Sequence, residues 1–177
     1  SNPFTKNLGA KLTIGLRAED AEPLDLWVPY VYWQPEFLRF LEVVRLAGAA
    51  TRDLQPRLVV TEADIQDSLQ QLPETDQPIA IIHPTAGDPR RRWPLERFAP
   101  GADYLAQKGM RVCLVGANNR EAAAEIISRM ENPAVNLAGI LSLEGLAGLI
   151  KRCALLLSND SGPLHMAAAI GAPSVGL

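Results

Sequence analysis

The fold is decided by the stretch ALLLSNDSGPLH, residues 154–165. Its first four residues form a continuous apolar run, as expected for a strand that is buried on both faces of a sheet. A polar turn follows, and Pro163 then suits the first position of a helix, where its missing N–H removes no hydrogen bond. The stretch therefore predicts a strand, a short loop and a helix in immediate succession.

The same alternation extends along the chain from residue 78 onward. Apolar runs predict further strands over 79–82, 112–115, 135–137 and 173–177. Segments with helical spacing separate these runs, and the connections between them are short. Such alternation favours an α/β fold built on a doubly wound parallel sheet with right-handed crossovers.

Pro100 opposes the helix that is predicted to follow residue 94. A proline in a helix interior removes a hydrogen bond and costs roughly 3 kcal/mol. The sequence leaves two alternatives: the helix is kinked at Pro100, or it begins near Ala99.

The first part of the chain shows a less regular pattern. It contains a predicted strand over 11–16 and predicted helices over 36–47 and 63–72, the last with Thr61 as its N-cap. Thr61 suits that position because its hydroxyl accepts a hydrogen bond from the first turn.

A polar, turn-rich segment over 74–78 indicates a linker or a domain boundary. We therefore expect two domains, over 1–77 and 78–177. Six of the ten aromatic residues lie between Trp27 and Phe40. A local core or a docking surface is the simpler interpretation of that cluster, and the wall of an acceptor-binding site is the alternative.

Composition excludes several classes of protein. Of the 177 residues, 47% are hydrophobic and 21% are charged, which excludes a disordered or fibrous chain. The net charge of −3 gives no bulk attraction to nucleic acid or to acidic membranes. No apolar stretch approaches the roughly 18 residues of a membrane span. Cys113 and Cys153 lie in apolar runs, as reduced core thiols do.

The loop after the strand at 79–82 carries groups that suit a phosphate. Ligands of open parallel sheets bind beyond the carboxyl ends of the strands. The Thr85 hydroxyl and the amides of Ala86 and Gly87 suit an anion there, and three successive arginines, 90–92, supply bidentate donors. The alternative is a solvated basic loop that precedes a helix.

The polar turn of the opening stretch carries a second set of such groups. The amides near Ser161 and Gly162 lie at a predicted helix N-terminus, whose positive end favours an anion. Asp160 suits sugar hydroxyls as an acceptor, and His165 suits a phosphate as a donor. In the alternative, Asp160 or Ser161 only caps the helix and His165 packs in the core. His83 and His165 are the two histidines of the chain, and their places in the two loops favour one shared cleft.

Two further loops give weaker signals. Asn118 lies among small residues after the strand at 112–115 and suits ribose hydroxyls. Leu141 suits an apolar slot for a base, with ordinary core packing as the simpler alternative. The sequence lacks the fingerprint motifs of dinucleotide oxidoreductases, P-loop proteins and α/β-hydrolases, and its histidines show no zinc-ligand pattern.

Together these loops resemble a known family. HPTAG at 83–87, followed by RRWPLERF at 91–98, looks like the first C-terminal-domain motif of bacterial heptosyltransferases, glycosyltransferase family 9. NDSGPLHMAAA at 159–169 resembles the second and most diagnostic motif of that family, and LAGILSLEGLAGLI at 137–150 is similar to the segment between the two. The resemblance covers 78–177 throughout.

The resemblance implies a GT-B architecture, in which two Rossmann-like domains face each other across a cleft and the C-terminal one binds a nucleotide-sugar donor. It implies an inverting glycosyltransferase that transfers a sugar from an ADP-heptose-like donor to a lipopolysaccharide-core-like, lipid-linked saccharide acceptor. Neither a metal nor another cofactor is implied, nor is nucleic acid a partner. The implied location is cytoplasmic, at the inner face of the cytoplasmic membrane, with at most peripheral membrane association.

The same resemblance implies a set of donor-binding residues, in which Arg91 stands in the place of a usual lysine, although the arginine triplet leaves that register open by one residue. They are Thr85, Ala86, Gly87 and Arg91 for the phosphates, Asn118 and Leu141 for the nucleoside, and Asp160, Ser161, Gly162 and His165 for the sugar and pyrophosphate.

One expected group has no counterpart in the sequence. In this family the general base is an acidic residue near the start of the N-terminal domain, and nothing in 1–77 reproduces it. We therefore expect 1–77 to be the tail of an acceptor domain with its linker, and 78–177 to be a donor domain truncated at its C-terminus. Such a chain alone is expected to be inactive. A non-catalytic nucleotide-binding fragment or degenerate homologue, and a GT-B nucleotide-sugar epimerase, stay open as alternatives.

Overall fold

The computed structural model describes residues 2–117 and 120–177, and its contacts divide the chain into two units that meet in sequence at Pro56 and Arg57. The first unit contains helix α1 (Asn2–Lys6), the parallel strands β1 (Ile14–Arg17) and β2 (Leu26–Pro29), and helix α2 (Glu36–Leu46). Strand β1 and helix α2 confirm the predicted elements, whereas α1 and β2 were not predicted from the sequence.

The aromatic cluster of the first unit is a surface and not a local core. The six aromatic side chains between residues 27 and 40 are exposed, from 40% for Phe37 to 87% for Trp33. The core interpretation is therefore wrong for these residues. Arg17 and Arg39 lie over the rings of Trp27 and Tyr30 at 4.8 and 4.3 Å, so part of the aromatic surface is covered by guanidinium groups.

The second unit alternates helices and strands as its sequence predicts. Its elements are helix α3 (Glu62–Gln71), strand β3 (Ile79–His83), a 3-10 turn (Pro89–Arg91), helix α4 (Leu95–Gln107), strand β4 (Arg111–Leu114), helix α5 (Arg120–Ser128), strand β5 (Val135–Asn136), helix α6 (Leu143–Arg152), strand β6 (Leu155–Ser158), helix α7 (Gly162–Ile170) and strand β7 (Ser174–Gly176).

The five strands β3 to β7 form one parallel sheet in the order β5-β4-β3-β6-β7. The chain first winds outward from β3 to β5 and then crosses back to β6 and β7, which confirms the doubly wound arrangement. The two directions separate between β3 and β6, where His83 pairs with Ser158.

The centre of the sheet is buried on both faces, although the edge strand β7 is exposed. Ile79 and Ile81 belong to one core cluster with residues of α6 and α7, and the alternate residues Ala80 and Ile82 belong to a second cluster with residues of α4 and α5. Two-sided burial explains why the strands are continuously apolar in sequence. Cys113 and Cys153 are free and buried, and burial raises the pKa of each thiol to about 11.

The helix ends follow their sequence signals. The Ser142 hydroxyl accepts from the backbone N–H of Gly145 at 2.8 Å at the start of α6, and Gly171 ends α7 with φ +80°. Helix α4 begins at Leu95, so the alternative start near Ala99 is wrong. Pro100 lies inside that helix and is exposed.

Helix α3 packs directly on helix α6. A Cβ added to Gly148 would lie 2.1 Å from the carbonyl oxygen of Asp64, and the Asp67 carboxylate accepts from the Ser142 hydroxyl at 2.6 Å. This contact joins α3 to the sheet unit. The unit boundary therefore lies before α3, at Pro56, rather than at the residue 77 predicted from the polar segment.

Within residues 2–117 and 120–177, no helix combines the length and the apolarity that crossing a membrane requires.

Candidate functional site

The candidate site lies where the winding direction of the sheet changes. The carboxyl ends of β3 and β6 are neighbours there, because His83 at the end of β3 pairs with Ser158 at the end of β6. A crevice opens at such a point in doubly wound sheets, since the loops on either side diverge. Both phosphate-type loops predicted from the sequence begin at these two strand ends.

Asn159 joins the two loops. Its side chain is fully buried, its amide Nδ2 donates to the carbonyl oxygen of Pro84 at 2.7 Å, and its Oδ1 accepts from the backbone N–H of Trp93 at 2.9 Å. Trp93 in turn packs edge-on against Phe98 in the core, with ring centroids 5.0 Å apart. The loop after β3 is thus held at both its start and its end by one side chain of the other loop.

His83 forms a second connection between the loops. Its Nδ1 atom lies 3.1 Å from Ser161 Oγ and 3.3 Å from Ser158 Oγ, and its Nε2 atom lies 3.3 Å from Thr85 Oγ1. Burial lowers the pKa of this histidine to about 4, because the charged ring would lose its hydration. His83 is therefore a neutral ring at physiological pH.

Asp160 lies between two basic side chains at the mouth of the site. Its Oδ2 atom is 3.1 Å from Arg91 Nη1, and its Oδ1 atom is 3.5 Å from His165 Nε2. All three side chains are accessible, with His165 74% exposed. His165 thus faces solvent, which excludes the alternative of a packed core histidine.

The three arginines of the triplet have different partners. Arg90 forms a bidentate ion pair with Asp88, and the Arg92 Nε donates to the carbonyl oxygen of Ala86 at 2.7 Å. Arg91 reaches the second loop, where it forms an ion pair with Asp160. The assignment of Arg91 to the phosphates stays a prediction, and the ion pair with Asp160 puts its guanidinium beside the second loop.

The N-terminus of α7 faces the same crevice. Ser161 occupies the N-cap position, yet its hydroxyl makes no cap hydrogen bond to the helix, since it bonds instead to the Asn159 carbonyl at 3.0 Å and to His83. The next residue, Gly162, has open space where a Cβ would point. An uncapped helix N-terminus offers backbone N–H groups and a positive dipole end to an anion.

The turn after β3 offers a similar approach to the backbone. Ala86 is buried and held by Arg92, Thr85 is half-buried, and Gly87 is exposed with open space where a Cβ would point. A ligand can therefore come close to the backbone at Gly87.

Leu141 belongs to a separate pocket beyond β4 and β5. Two loops meet there, because the N–H of Gly139 donates to the carbonyl oxygen of Gly116 at 2.7 Å. The pocket is mostly apolar and is lined by Val115, Gly116, Ala117, Leu137, Leu141, Ser142, Leu143 and Leu146. Asn118, predicted for the ribose, lies outside the described residues.

The structure therefore brings together most of the predicted residues at the β3–β6 crevice, whereas Leu141 lies in the loop between β5 and α6 and lines the separate pocket. His83 and Asn159 were not among the predicted site residues. Both lie in the quoted motifs, but their roles depend on hydrogen bonds across more than 60 positions, which sequence spacing does not reveal. No group of three or more His, Cys, Asp or Glu side chains that could hold a metal lies in the described part of the chain.

Comparisons with known proteins bear on the family and the fold of the chain. The model of glycosyltransferase family 9 (heptosyltransferase) matches residues 3–177. Lipooligosaccharide heptosyltransferase 2 of Haemophilus ducreyi is 37% identical over 90 residues, which is 48% of this chain and 26% of that protein.

Two solved structures share the fold. A family 9 glycosyltransferase from Veillonella parvula is 25% identical with a TM-score of 0.79, and the match covers 98% of this chain and 52% of that one. The E. coli ADP-heptose lipopolysaccharide heptosyltransferase II is 30% identical with a TM-score of 0.68, and the match covers 78% and 46%. The chain thus spans about half of these structures and a quarter of the curated relative.

Proposed function

The chain belongs to glycosyltransferase family 9, and from this premise we propose that it supplies the donor side of an inverting heptosyltransferase. The donor is an ADP-heptose-like nucleotide sugar, and the acceptor is a lipid-linked saccharide of the lipopolysaccharide-core type. A relative that carries ADP-heptose in its name is 30% identical and has the same fold, which supports this donor class. Residues 57–177 would form the donor domain, and the first unit would belong to the acceptor domain.

One observation carries the proposal: at the uncapped N-terminus of α7, Asp160 contacts both Arg91 and His165. This arrangement combines cationic donors, helix N–H groups and a carboxylate acceptor within one crevice. A pyrophosphate needs the first two, and sugar hydroxyls need the third.

In the proposed chemistry, the main task of this chain is to stabilise the leaving group. The bond between the anomeric carbon and a phosphate oxygen breaks, and the acceptor oxygen bonds to the opposite face of that carbon. Negative charge then grows on the departing nucleoside diphosphate. Arg91, His165 and the N-terminus of α7 are positioned to stabilise that charge, and loss of one such donor typically costs about 3 kcal/mol in the transition state.

The acceptor proton needs a base, and the resemblance puts that base in the acceptor domain, outside the matched motifs. We therefore expect this chain to bind the donor nucleotide without sugar transfer. Because the proposed acceptor is lipid-linked, the complete enzyme would act at the inner face of the cytoplasmic membrane as a peripheral protein.

Calorimetric titration of the full chain with ADP, GDP and UDP tests the donor assignment. We expect ADP to bind and the other two to bind more weakly. Equal affinity for all three would contradict an adenine preference. Absence of heat with all three, for a chain shown by circular dichroism to be folded, would contradict the donor-side assignment itself.

A further inference from the structure

His83 lies at the centre of the hydrogen bonds that connect the two loops, although nothing in the proposed chemistry uses it. We propose that His83 is a positioning residue whose proton lies on Nδ1 in the free chain and on Nε2 when a phosphate binds at Thr85. The shift would turn the Thr85 hydroxyl proton toward the phosphate. This inference rests on the proposed function, because it takes Thr85 as a phosphate contact.

The number of hydroxyl protons available around Nδ1 favours the tautomer of the free chain, in which Nδ1 carries the proton. Ser158 and Ser161 each bring a single hydroxyl proton, and both Oγ atoms lie within reach of the Asn159 carbonyl oxygen, at 2.8 and 3.0 Å. That oxygen can only accept. When both serines donate to it, their own oxygens are left to accept, so a proton on Nδ1, 3.1 Å from Ser161 Oγ, completes the set.

The direction of the hydrogen bond between Nε2 and Thr85 then follows. With the proton on Nδ1, Nε2 carries a lone pair and can only accept. The contact of 3.3 Å with Thr85 Oγ1 is therefore a bond that the Thr85 hydroxyl donates to the ring. In this state the hydroxyl would present lone pairs to a phosphate, and two acceptors repel each other.

A proton on Nε2 reverses both contacts. Nε2 then donates to Thr85 Oγ1, the Thr85 proton is directed to a phosphate oxygen, and Ser161 donates to Nδ1. One proton leaves Nδ1 and one arrives at Nε2 by exchange with water, so the ring keeps its charge. The shift exchanges the Ser161 bond to the Asn159 carbonyl for a charge-assisted bond to phosphate, which is the stronger of the two.

Burial keeps the ring in the neutral form that this exchange requires. His83 is 7% exposed, and the hydrogen-bond contacts of its ring within the described residues are the hydroxyls of Thr85, Ser158 and Ser161. A neutral ring has one N–H and one lone pair, so the two states differ only in their positions.

The test is nitrogen-15 NMR of the full labelled chain, since a protonated and an unprotonated imidazole nitrogen resonate far apart. The His165→Gln variant assigns the ring signals, because His83 is then the remaining histidine. We expect the N–H signature on Nδ1 in the free chain and on Nε2 in the presence of saturating ADP.

Each outcome has one meaning. The same tautomer with and without bound ADP, or a cationic ring, overturns the inference and leaves the proposed function intact. Failure of ADP to bind in calorimetry overturns the proposed function, and the inference falls with it.

Two conservative variants separate positioning from a structural role. The amide of His83→Gln reaches the position of Nε2, and that of His83→Asn reaches the position of Nδ1. We expect His83→Gln to keep ADP affinity within about threefold, and His83→Asn to weaken it about tenfold, the loss of roughly one good hydrogen bond. Equal affinities in two variants with matched thermal unfolding would mean that His83 only fills space, which overturns the inference.

Discussion

The Asn159 side chain donates to the carbonyl oxygen of Pro84 at 2.7 Å, across 75 positions of sequence. With its second bond, to the Trp93 N–H, this buried amide uses one donor and one acceptor in fixed directions. An amide satisfies both partners, whereas a carboxylate of the same shape satisfies only one.

Asn159→Asp should therefore lower the free energy of unfolding by about 3 kcal/mol at pH 7, since a buried carboxylate oxygen would face the Pro84 carbonyl. The new carboxyl would have a raised pKa in the folded state, because its protonated form can donate to that carbonyl. A raised folded-state pKa means that the loss shrinks as the pH falls. Urea unfolding of variant and parent at pH 7 and pH 5 measures the loss of unfolding free energy. A loss that does not change with pH would contradict the hydrogen bond from Asn159 to the Pro84 carbonyl.

The buried ring of His83 predicts a pH dependence of stability. Its pKa is about 4 in the folded chain and 6.5 as the ordinary value, so the unfolded chain binds more protons between these limits. Stability from this group is complete above pH 6.5 and is lost as the pH falls toward 4, by on the order of 3 kcal/mol in all.

Urea unfolding between pH 7.5 and 4.5 measures that slope. His83→Gln should remove the slope in this window, while His165→Gln should retain it because His83 is unchanged. A slope that survives in His83→Gln would assign the pH dependence to other groups.

Arg91 and Arg90 form a matched pair for the donor site. Arg91 contacts Asp160 in the second loop, whereas Arg90 contacts Asp88 in its own loop. Arg91→Gln should weaken ADP binding about tenfold or more, the scale of a charge-assisted bond to phosphate. Arg90→Gln should change affinity by less than about twofold. Calorimetry with ADP compares them, and a larger effect at Arg90 would move the phosphate contact by one residue.

Asp160 is accessible to a sugar as well as to Arg91 and His165. In a complete family 9 enzyme that contains these residues, Asp160→Ala should lower the rate of sugar transfer by about 100-fold or more, since it removes the proposed contact to the transferred group. Product formation by mass spectrometry measures this loss. Turnover near that of the parent would exclude Asp160 from the site.

Gly148 and Gly101 test the packing of helix α3. Both lie inside helices, but a Cβ at Gly148 would lie 2.1 Å from the Asp64 carbonyl oxygen, whereas a Cβ at Gly101 would lie 3.8 Å from Leu157. Gly148→Ala should destabilise the chain by about 2 to 3 kcal/mol because α3 must move away from α6. Gly101→Ala should stabilise it by about 0.5 kcal/mol, since alanine favours the helix. Thermal unfolding measures both, and equal effects would contradict the close contact.

The sequence predicted the sheet and its loops because their signals are local. Continuous apolar runs indicate strands buried on both faces, and Ser142, Thr61 and Gly171 mark helix ends through bonds within a few residues. Strand β2 was missed because it lies at the start of the aromatic cluster, which suggested a surface or a core without indicating extended backbone. The start of α4 was left open because of Pro100. Helix propensity counts a proline in a helix interior as unfavourable and does not take into account whether its ring is exposed.

The sequence predicted the part of the candidate site that depends on position directly after a strand. Asp160, Ser161 and His165 follow a strand directly, and that position alone brings them to the crevice. The roles of His83 and Asn159 depend on which strands are neighbours, which spacing along the chain does not specify. The boundary before α3 was missed for the same reason. Helix α3 packs against α6 at Gly145 and Gly148, a contact between distant parts of the sequence. The polar segment at 74–78, by contrast, looks locally like an ordinary linker.

The strand order separates two kinds of recognition. The phosphate-type loops leave β3 and β6, whereas the apolar pocket around Leu141 lies beyond β4 and β5. The two regions share the rigid sheet, so a change in the pocket need not disturb the crevice. In the proposed donor site, the preference for a base would then depend on one pair of loops, while the phosphate-type loops stay unchanged.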